Sequence, residues 1–120
     1  MPPSILVVDP IRQARDFTIS MFHSLGYRYV WPAEDVARTR NFLDAVLFDY
    51  VLLDAHITGA PIHDLIGSVR RGSPQTTIVV LSHLPHAGSR YPGADYVISK
   101  PLSFPELTRL MEQRRVTSLR

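Results

Sequence analysis

The 120-residue chain contains no cysteine. That absence excludes disulfides and thiolate metal sites. No apolar stretch is long enough to span a bilayer, and the N-terminus lacks the positively charged segment of a signal peptide. We therefore expect a cytoplasmic protein that contacts no membrane. Its length predicts a single domain, covering residues 1–120, with one hydrophobic core.

An excess of charge of one sign is also missing. The formal net charge is only +2, although the sequence pI is about 9.3, and the basic residues are spread along the chain. Arg114, Arg115 and Arg120 cluster near the C-terminus, where a solvated tail explains them. No stripe of basic and aromatic residues occurs, so we do not expect this domain to bind nucleic acid.

Lysine is nearly absent, since Lys100 is the single lysine among 13 basic residues. It belongs to a set of four polar side chains that each follow a short apolar run. The runs cover 5–8, 51–53, 78–81 and 95–98, and the polar residues are Asp9, Asp54, Ser82 and Lys100. Open parallel sheets bind ligands at the carboxyl ends of their strands, so these four groups are candidates for one site.

Helical patterns separate the apolar runs. Apolar residues recur at helical spacing over 11–25, 36–43, 62–69 and 107–111. Ser103 and Glu106 form a capping box before the last of these patterns. A weaker strand candidate covers 27–30. The segment 83–93 holds two prolines and two glycines, so we predict an irregular, mobile connection. We expect this connection to be the surface that a partner protein contacts.

The alternation of strands and helices predicts an α/β fold with a parallel sheet and right-handed crossovers. Five strands in this length fit a flavodoxin-like, doubly wound sheet in the order 2-1-3-4-5, with helices on both faces. The first and third strands are neighbours in that order. Asp9 and Asp54 should therefore face each other across one crevice.

These motifs, in this order, resemble the receiver (CheY-like) domain of bacterial two-component response regulators. The resemblance covers essentially the whole chain. It rests on the runs that end in Asp9 and Asp54, on Ser82, and on Lys100 followed by proline. Gly26-Tyr27 after the first helix and Gly93-Ala94-Asp95 before the last strand also fit.

The resemblance implies a function for each group. Asp54 would be the nucleophile that takes a phosphoryl group from the phosphohistidine of a histidine kinase or phosphotransfer protein, because a carboxylate can form an acyl phosphate. Lys100 would supply a fixed positive charge, and the Ser82 hydroxyl would bond to the phosphoryl group. Mg²⁺ would be held by Asp9, by Asp54 and by the backbone carbonyl of His56.

The resemblance also implies what surrounds this chemistry. Such a domain is no enzyme beyond its own phosphorylation and dephosphorylation. Its output is a changed contact with an effector domain or a downstream protein. The last helix and the loop before it would be the face of a possible homodimer.

The sequence departs from the family pattern around the predicted site. Pro10 stands where the family has a second acid, so we expect weakened Mg²⁺ binding. His83 replaces a small residue and should crowd the phosphoryl pocket beside Ser82. Val97 stands at the position of an aromatic switch residue, with Tyr96 pointing to the opposite face. Thr58 replaces a proline in the loop after Asp54.

Other functions stay open. A degenerate receiver would keep the fold and bind a partner protein without phosphorylation. A small flavodoxin-like enzyme or nucleotide-binding domain is disfavoured, because no glycine-rich loop follows Val8. His56 and His83 could join Asp9 and Asp54 in a transition-metal or pH-sensitive site, although solvated or capping histidines are the interpretation that we favour.

Overall fold

The alternating pattern folds into a sheet covered by helices on both faces. The computed structural model describes residues 2–84 and 90–118. The strands are β1 Ser4–Val8, β2 Tyr29–Ala33, β3 Tyr50–Asp54, β4 Thr77–Ser82 and β5 Tyr96–Ser99. The helices are α1 Arg12–Ser24, α2 Val36–Ala45, α3 Ile62–Gly72 and α4 Phe104–Ser118. All strand pairs are parallel and the order is β2-β1-β3-β4-β5, which confirms the predicted fold class.

The three central strands are apolar along their length because both of their faces are covered. Leu6 and Leu53 point to the face covered by α2 and α3, and Ile5 and Leu52 to the face covered by α1 and α4. Each such side chain stabilises the fold by about 1.5–3 kcal/mol when it leaves water. This burial fixes the strand register, and with it the positions of the polar residues that follow each strand.

The predicted helix signals are confirmed where they can be compared. Gly26 ends α1 with a φ of 92°, which favours glycine, and its N–H donates to His23 O at 2.9 Å. Ser103 Oγ accepts from Glu106 N–H at 3.3 Å, which is one half of the predicted capping box, and it donates to Glu106 Oε1 at 2.9 Å. In the described part of the chain, no helix is long and apolar enough to cross a membrane.

Four strands fall within one residue of their predicted positions, whereas the second strand exists but overlaps its predicted range only at Tyr29 and Val30. β2 covers Tyr29–Ala33 rather than 27–30. Tyr27 belongs instead to the turn that ends α1, because its N–H donates to Phe22 O at 3.0 Å and its ring packs edge-on against Phe22. β2 lies at the edge of the sheet, where Pro32 is tolerated and where burial leaves a weaker pattern.

The connection between β4 and β5 is only partly described. Residues 85–89 lie outside the described residues, so the predicted irregularity of 83–93 stays a prediction. The end of the connection is attached to α3, since Arg70 donates to Gly93 O at 2.7 Å and to Asp95 Oδ2 at 2.9 Å. His63 Nε2 bonds to Arg90 O at 2.7 Å, so one side of α3 positions the chain as it enters β5.

Candidate functional site

Two buried carboxylates meet at the carboxyl edge of the sheet. Asp9 directly follows β1 and Asp54 ends β3, and each is 2% exposed. Val8 pairs with Leu53 in the register of these strands, so the next residue on each strand carries its carboxylate to the same crevice. The structure thus brings together the first two predicted site residues.

Lys100 bridges the two carboxylates. Its Nζ lies 2.9 Å from Asp9 Oδ2 and 2.6 Å from Asp54 Oδ2. The backbone directs it there, because Lys100 N–H continues the pairing of β5 with β4 by donating to Ser82 O at 2.8 Å. The lysine side chain is 9% exposed, so all three charges are shielded from water.

The remaining carboxylate oxygens are bound by backbone amides. Asp9 Oδ1 accepts from Ile11 N–H at 2.9 Å, and Asp54 Oδ1 accepts from His56 N–H at 2.8 Å. Both are bonds to the residue two positions on, the arrangement of an Asx turn. Pro10 is compatible with this turn because the proline, which has no N–H, lies between acceptor and donor.

Opposing effects act on the ionisation of the pair. Burial alone would raise the pKa of Asp54, but hydrogen bonds from Lys100 and from His56 N–H, together with the Lys100 charge, hold it below its ordinary value. Burial alone would lower the pKa of Lys100, but its bonds to Asp54 and Asp9 raise it above its ordinary value. Asp54 and Lys100 are therefore both charged at neutral pH.

These shifts predict how stability depends on pH. The contribution of Asp54 is fully present above its unfolded pKa and is lost as pH falls through its lowered folded pKa. The contribution of Lys100 is fully present below its unfolded pKa and is lost as pH rises through its raised folded pKa. The difference in unfolding free energy between wild type and Lys100→Met should therefore be greatest between roughly pH 4 and pH 10 and smaller on either side. Urea unfolding across this range measures it, and a difference that stays constant far into acid would contradict the expectation.

Ser82 ends β4 beside the carboxylates and is 1% exposed. Its Oγ accepts a hydrogen bond from Leu84 N–H at 3.1 Å. A hydroxyl that accepts can also donate, so this group can offer its proton to an oxyanion in the crevice. The same hydroxyl links the end of β4 to the connection that follows.

His56 and His83 lie at the mouth of the crevice and are both exposed to solvent. Their ring centroids are 6.2 Å apart, and His56 Nδ1 lies 3.8 Å from Asp54 Oδ1. Among the described residues, no group of three or more histidine or carboxylate side chains is arranged to hold a metal ion. These residues therefore do not form the transition-metal site considered above, and the imidazoles are solvated rim groups.

The crevice nevertheless offers the ligand chemistry of Mg²⁺. This ion prefers one or two carboxylates and keeps several waters, and each carboxylate oxygen of Asp9 and Asp54 can accept more than its present single donor. Pro10 adds no side-chain oxygen. The donor set fits Mg²⁺ with two anionic ligands, one fewer than a chain with an acid in place of Pro10 would offer.

Sequence reasoning missed one residue of the site. Arg15, in α1, donates from Nη1 to Asp9 O at 2.8 Å and brings a second cation to the crevice. A signal existed, because the helix dipole disfavours arginine near a helix N-terminus, and Arg12 and Arg15 both lie close to the start of α1. The contact of Arg15 with the Asp9 carbonyl explains its position.

Comparison with known proteins begins with an absence: no family model and no curated protein matches the sequence. Solved structures do match. A CheY-like response regulator receiver domain protein of Methanospirillum hungatei JF-1 superposes with a TM-score of 0.85 at 19% identity, over 95% of this chain and 94% of the other. The chain has the receiver fold.

Two further structures show the same fold with magnesium. The receiver domain of sensor histidine kinase PA1611 from Pseudomonas aeruginosa PAO1, with a magnesium ion in its active-site cleft, has a TM-score of 0.81 at 20% identity and covers 94% and 97% of the chains. Response regulator TrrA of Thermotoga maritima, in complex with Mg²⁺-BeF, has a TM-score of 0.83 at 24% identity and covers 92% and 97%. At these identities the likeness establishes the fold alone.

One aromatic side chain from the connection before β5, that of Tyr91, lies in the core beneath α2 and α3. Val97 packs in the cluster below α2 and α3, and Tyr96 packs on the opposite face, as the alternation predicted. Tyr91 is buried in the same cluster as Val97 and stacks on His63 with centroids 6.1 Å apart. It follows the undescribed residues 85–89, in a segment without the periodicity that reveals a core residue.

Proposed function

We propose that the chain is a cytoplasmic response-regulator receiver domain that accepts a phosphoryl group on Asp54 and then changes a protein–protein contact. The observation that carries the proposal is the ion-paired cluster at the carboxyl edge of the sheet. Asp54 is a buried carboxylate that stays ionised, next to a second carboxylate and a fixed cation. A nucleophile and a group that stabilises phosphoryl charge are thus in direct contact.

The reaction follows from these positions. A carboxylate oxygen of Asp54 forms a bond to phosphorus while the P–N bond of the donor phosphohistidine breaks. The electron pair of that bond stays on nitrogen, and the group leaves as neutral imidazole when its other nitrogen carries a proton. Lys100 already contacts Asp54 Oδ2 at 2.6 Å, so its ammonium can bond to an oxygen of the arriving phosphoryl group. Mg²⁺, when held by Asp9 and Asp54, would supply further positive charge to the phosphoryl oxygens.

A phosphoryl group on Asp54 would change the conformation of the connection after β4. The Ser82 hydroxyl, which accepts from Leu84 N–H, would donate to a phosphoryl oxygen. Movement of that hydroxyl therefore moves the backbone of the connection. This shift would alter how the connection binds an effector domain, a downstream protein or a second copy of the chain.

A specific observation favours a second candidate, the degenerate receiver that binds a partner without phosphorylation. Each oxygen of Asp9 and Asp54 already accepts a hydrogen bond, and Pro10 removes an acid. Intact mass after incubation with acetyl phosphate separates the two candidates. A gain of one phosphoryl group supports the first, and an unchanged mass at every Mg²⁺ concentration supports the second.

Restoring an acid after β1 should strengthen metal binding. Pro10→Asp is expected to tighten Mg²⁺ binding by about tenfold or more, since one added carboxylate ligand can supply over about 1.4 kcal/mol. Calorimetric titration measures both affinities directly. Trp31 lies on β2 at the edge of the sheet, so its fluorescence is a poor reporter of the site. Equal affinities for the two proteins would show that Pro10 does not limit metal binding.

A further inference from the structure

The backbone carbonyl of Asp9 is bonded by a side chain. It accepts a hydrogen bond from Arg15 Nη1 at 2.8 Å. The carbonyl of Asp54, at the end of β3, accepts instead from the backbone N–H of Ile57 at 3.2 Å. The turn after Asp54 is therefore closed by the backbone itself, whereas the turn after Asp9 is held by a residue of α1.

The conformation of the chain between β1 and α1 explains this difference. Ile11 has an extended backbone, with a φ of −95° and a ψ of 115°. A type I turn that returned the N–H of Arg12 to the Asp9 carbonyl would need a ψ of about 0° at this residue. Pro10 has neither an N–H nor a polar side chain, so it adds no hydrogen bond of its own. The guanidinium of Arg15 supplies the donor.

Arg15 stands where the helix itself disfavours a cation. Ile11, the N-cap of α1, makes no side-chain capping hydrogen bond, and the first turn of the helix contains no acid. The helix dipole places partial positive charge at this end, so an arginine here weakens α1. The half-buried side chain of Arg15 is compensated by its contact with the Asp9 carbonyl.

Asp9 is held from both sides of its Cα. Its N–H donates to Ala33 O at 3.0 Å, and its carbonyl accepts from Arg15. With both flanking peptide groups fixed, the direction of the Cα–Cβ bond is fixed as well. Asp9 Oδ2 then lies 2.9 Å from Lys100 Nζ, in the crevice that offers ligands for Mg²⁺. Residues that orient a metal ligand contribute to metal affinity without touching the ion.

We propose that Arg15 is a positioning residue for the phosphoryl transfer, because its bond to the Asp9 carbonyl keeps the Asp9 carboxylate directed into the crevice. The inference rests on the proposed function, since it concerns the same site. Arg15 acts through Asp9. Its contribution to metal binding comes from the orientation of a carboxylate and outweighs the repulsion between its own charge and the metal ion.

The test compares Arg15→Met, which removes the donor, with Arg15→Lys, which keeps a cationic donor. Calorimetry on the whole chain should show that Arg15→Met weakens Mg²⁺ binding by about tenfold to a hundredfold, as the loss of a residue that orients a metal ligand does. Arg15→Lys should recover part of this loss. If Arg15 were only a nearby positive charge, its removal would tighten Mg²⁺ binding. Equal or tighter binding by Arg15→Met would therefore overturn the inference.

Arg12→Met is the matched control. Arg12 belongs to the same end of α1, but its side chain is 85% exposed and pairs with Asp16 at 3.6 Å. This variant should bind Mg²⁺ as wild type does. Hydrogen exchange of the Ile11 N–H, which donates to Asp9 Oδ1, reports the position of the carboxylate without metal. It should be faster in Arg15→Met than in Arg12→Met, and equal rates would contradict the proposed role.

A double variant separates positioning from other effects. In an Asp9→Asn protein there is no carboxylate to direct, so adding Arg15→Met should not weaken Mg²⁺ binding further. A further loss as large as in wild type would show that Arg15 acts by another route. These affinities test Arg15 alone. The proposed function is tested separately, since it fails if acetyl phosphate adds no phosphoryl group to wild type at any Mg²⁺ concentration.

Discussion

Asp54→Asn should abolish the covalent phosphoryl adduct. The amide oxygen is neutral and a poor nucleophile, whereas Asp54 stays ionised beside Lys100. Acetyl phosphate in the presence of Mg²⁺ is therefore expected to add one phosphoryl group to wild type and none to the variant. Intact mass spectrometry measures both, with stoichiometry followed over time.

The matched control for this experiment is Asp44→Asn. Asp44 lies exposed on α2, so its replacement removes a carboxylate without touching the crevice. The Asp44→Asn protein should gain one phosphoryl group at the same rate as wild type. An adduct that persists in Asp54→Asn would show that another group accepts the phosphoryl group, and the assignment of Asp54 would be wrong.

Lys100→Met should destabilise the fold more than the replacement of a solvent-exposed charged side chain does. Methionine keeps much of the apolar stem but leaves the carboxylates of Asp9 and Asp54 facing each other without a shared cation. Breaking a buried ion pair from one side costs about 3–5 kcal/mol, because the remaining charges are left uncompensated. Urea unfolding at neutral pH should therefore show a loss of about 3 kcal/mol in the free energy of unfolding.

Two further variants test the cause of that loss. Asp9→Asn in the Lys100→Met background removes one of the unpaired charges, so it should recover part of the lost stability. Arg12→Met removes a solvent-exposed partner of Asp16 and should change stability little. A Lys100→Met protein as stable as Arg12→Met would mean that the bridging ammonium contributes nothing to the fold.

The sequence predicted the elements whose burial leaves a clear pattern. β1, β3 and β4 are covered on both faces, so their apolar runs could be found, and the parallel order then brought Asp9 and Asp54 together. β2 was misplaced because an edge strand is only half buried and tolerates Pro32. The hydrophobic pattern is therefore weaker in β2, which is less buried than the central strands.

The details of the site were less accessible because they depend on three-dimensional proximity. Nothing in the spacing of Lys100 and Asp9 indicates that a single ammonium reaches both carboxylates. The contact of Arg15 with the Asp9 carbonyl depends on how α1 leaves β1. Tyr91 reaches the core from a connection without periodicity, held in place by α3, so only the fold could reveal it.

The scarcity of lysine has a chemical consequence. Apart from the terminal amine, Lys100 is the single primary amine that the sequence offers to acylating reagents or to lysine-modifying enzymes. Its ammonium is buried and holds its proton tightly, so it is a poor nucleophile while the ion pairs persist. Any modification of this amine must follow an opening of the crevice. The rate of acylation at Lys100 therefore depends on how often the ion-paired cluster opens.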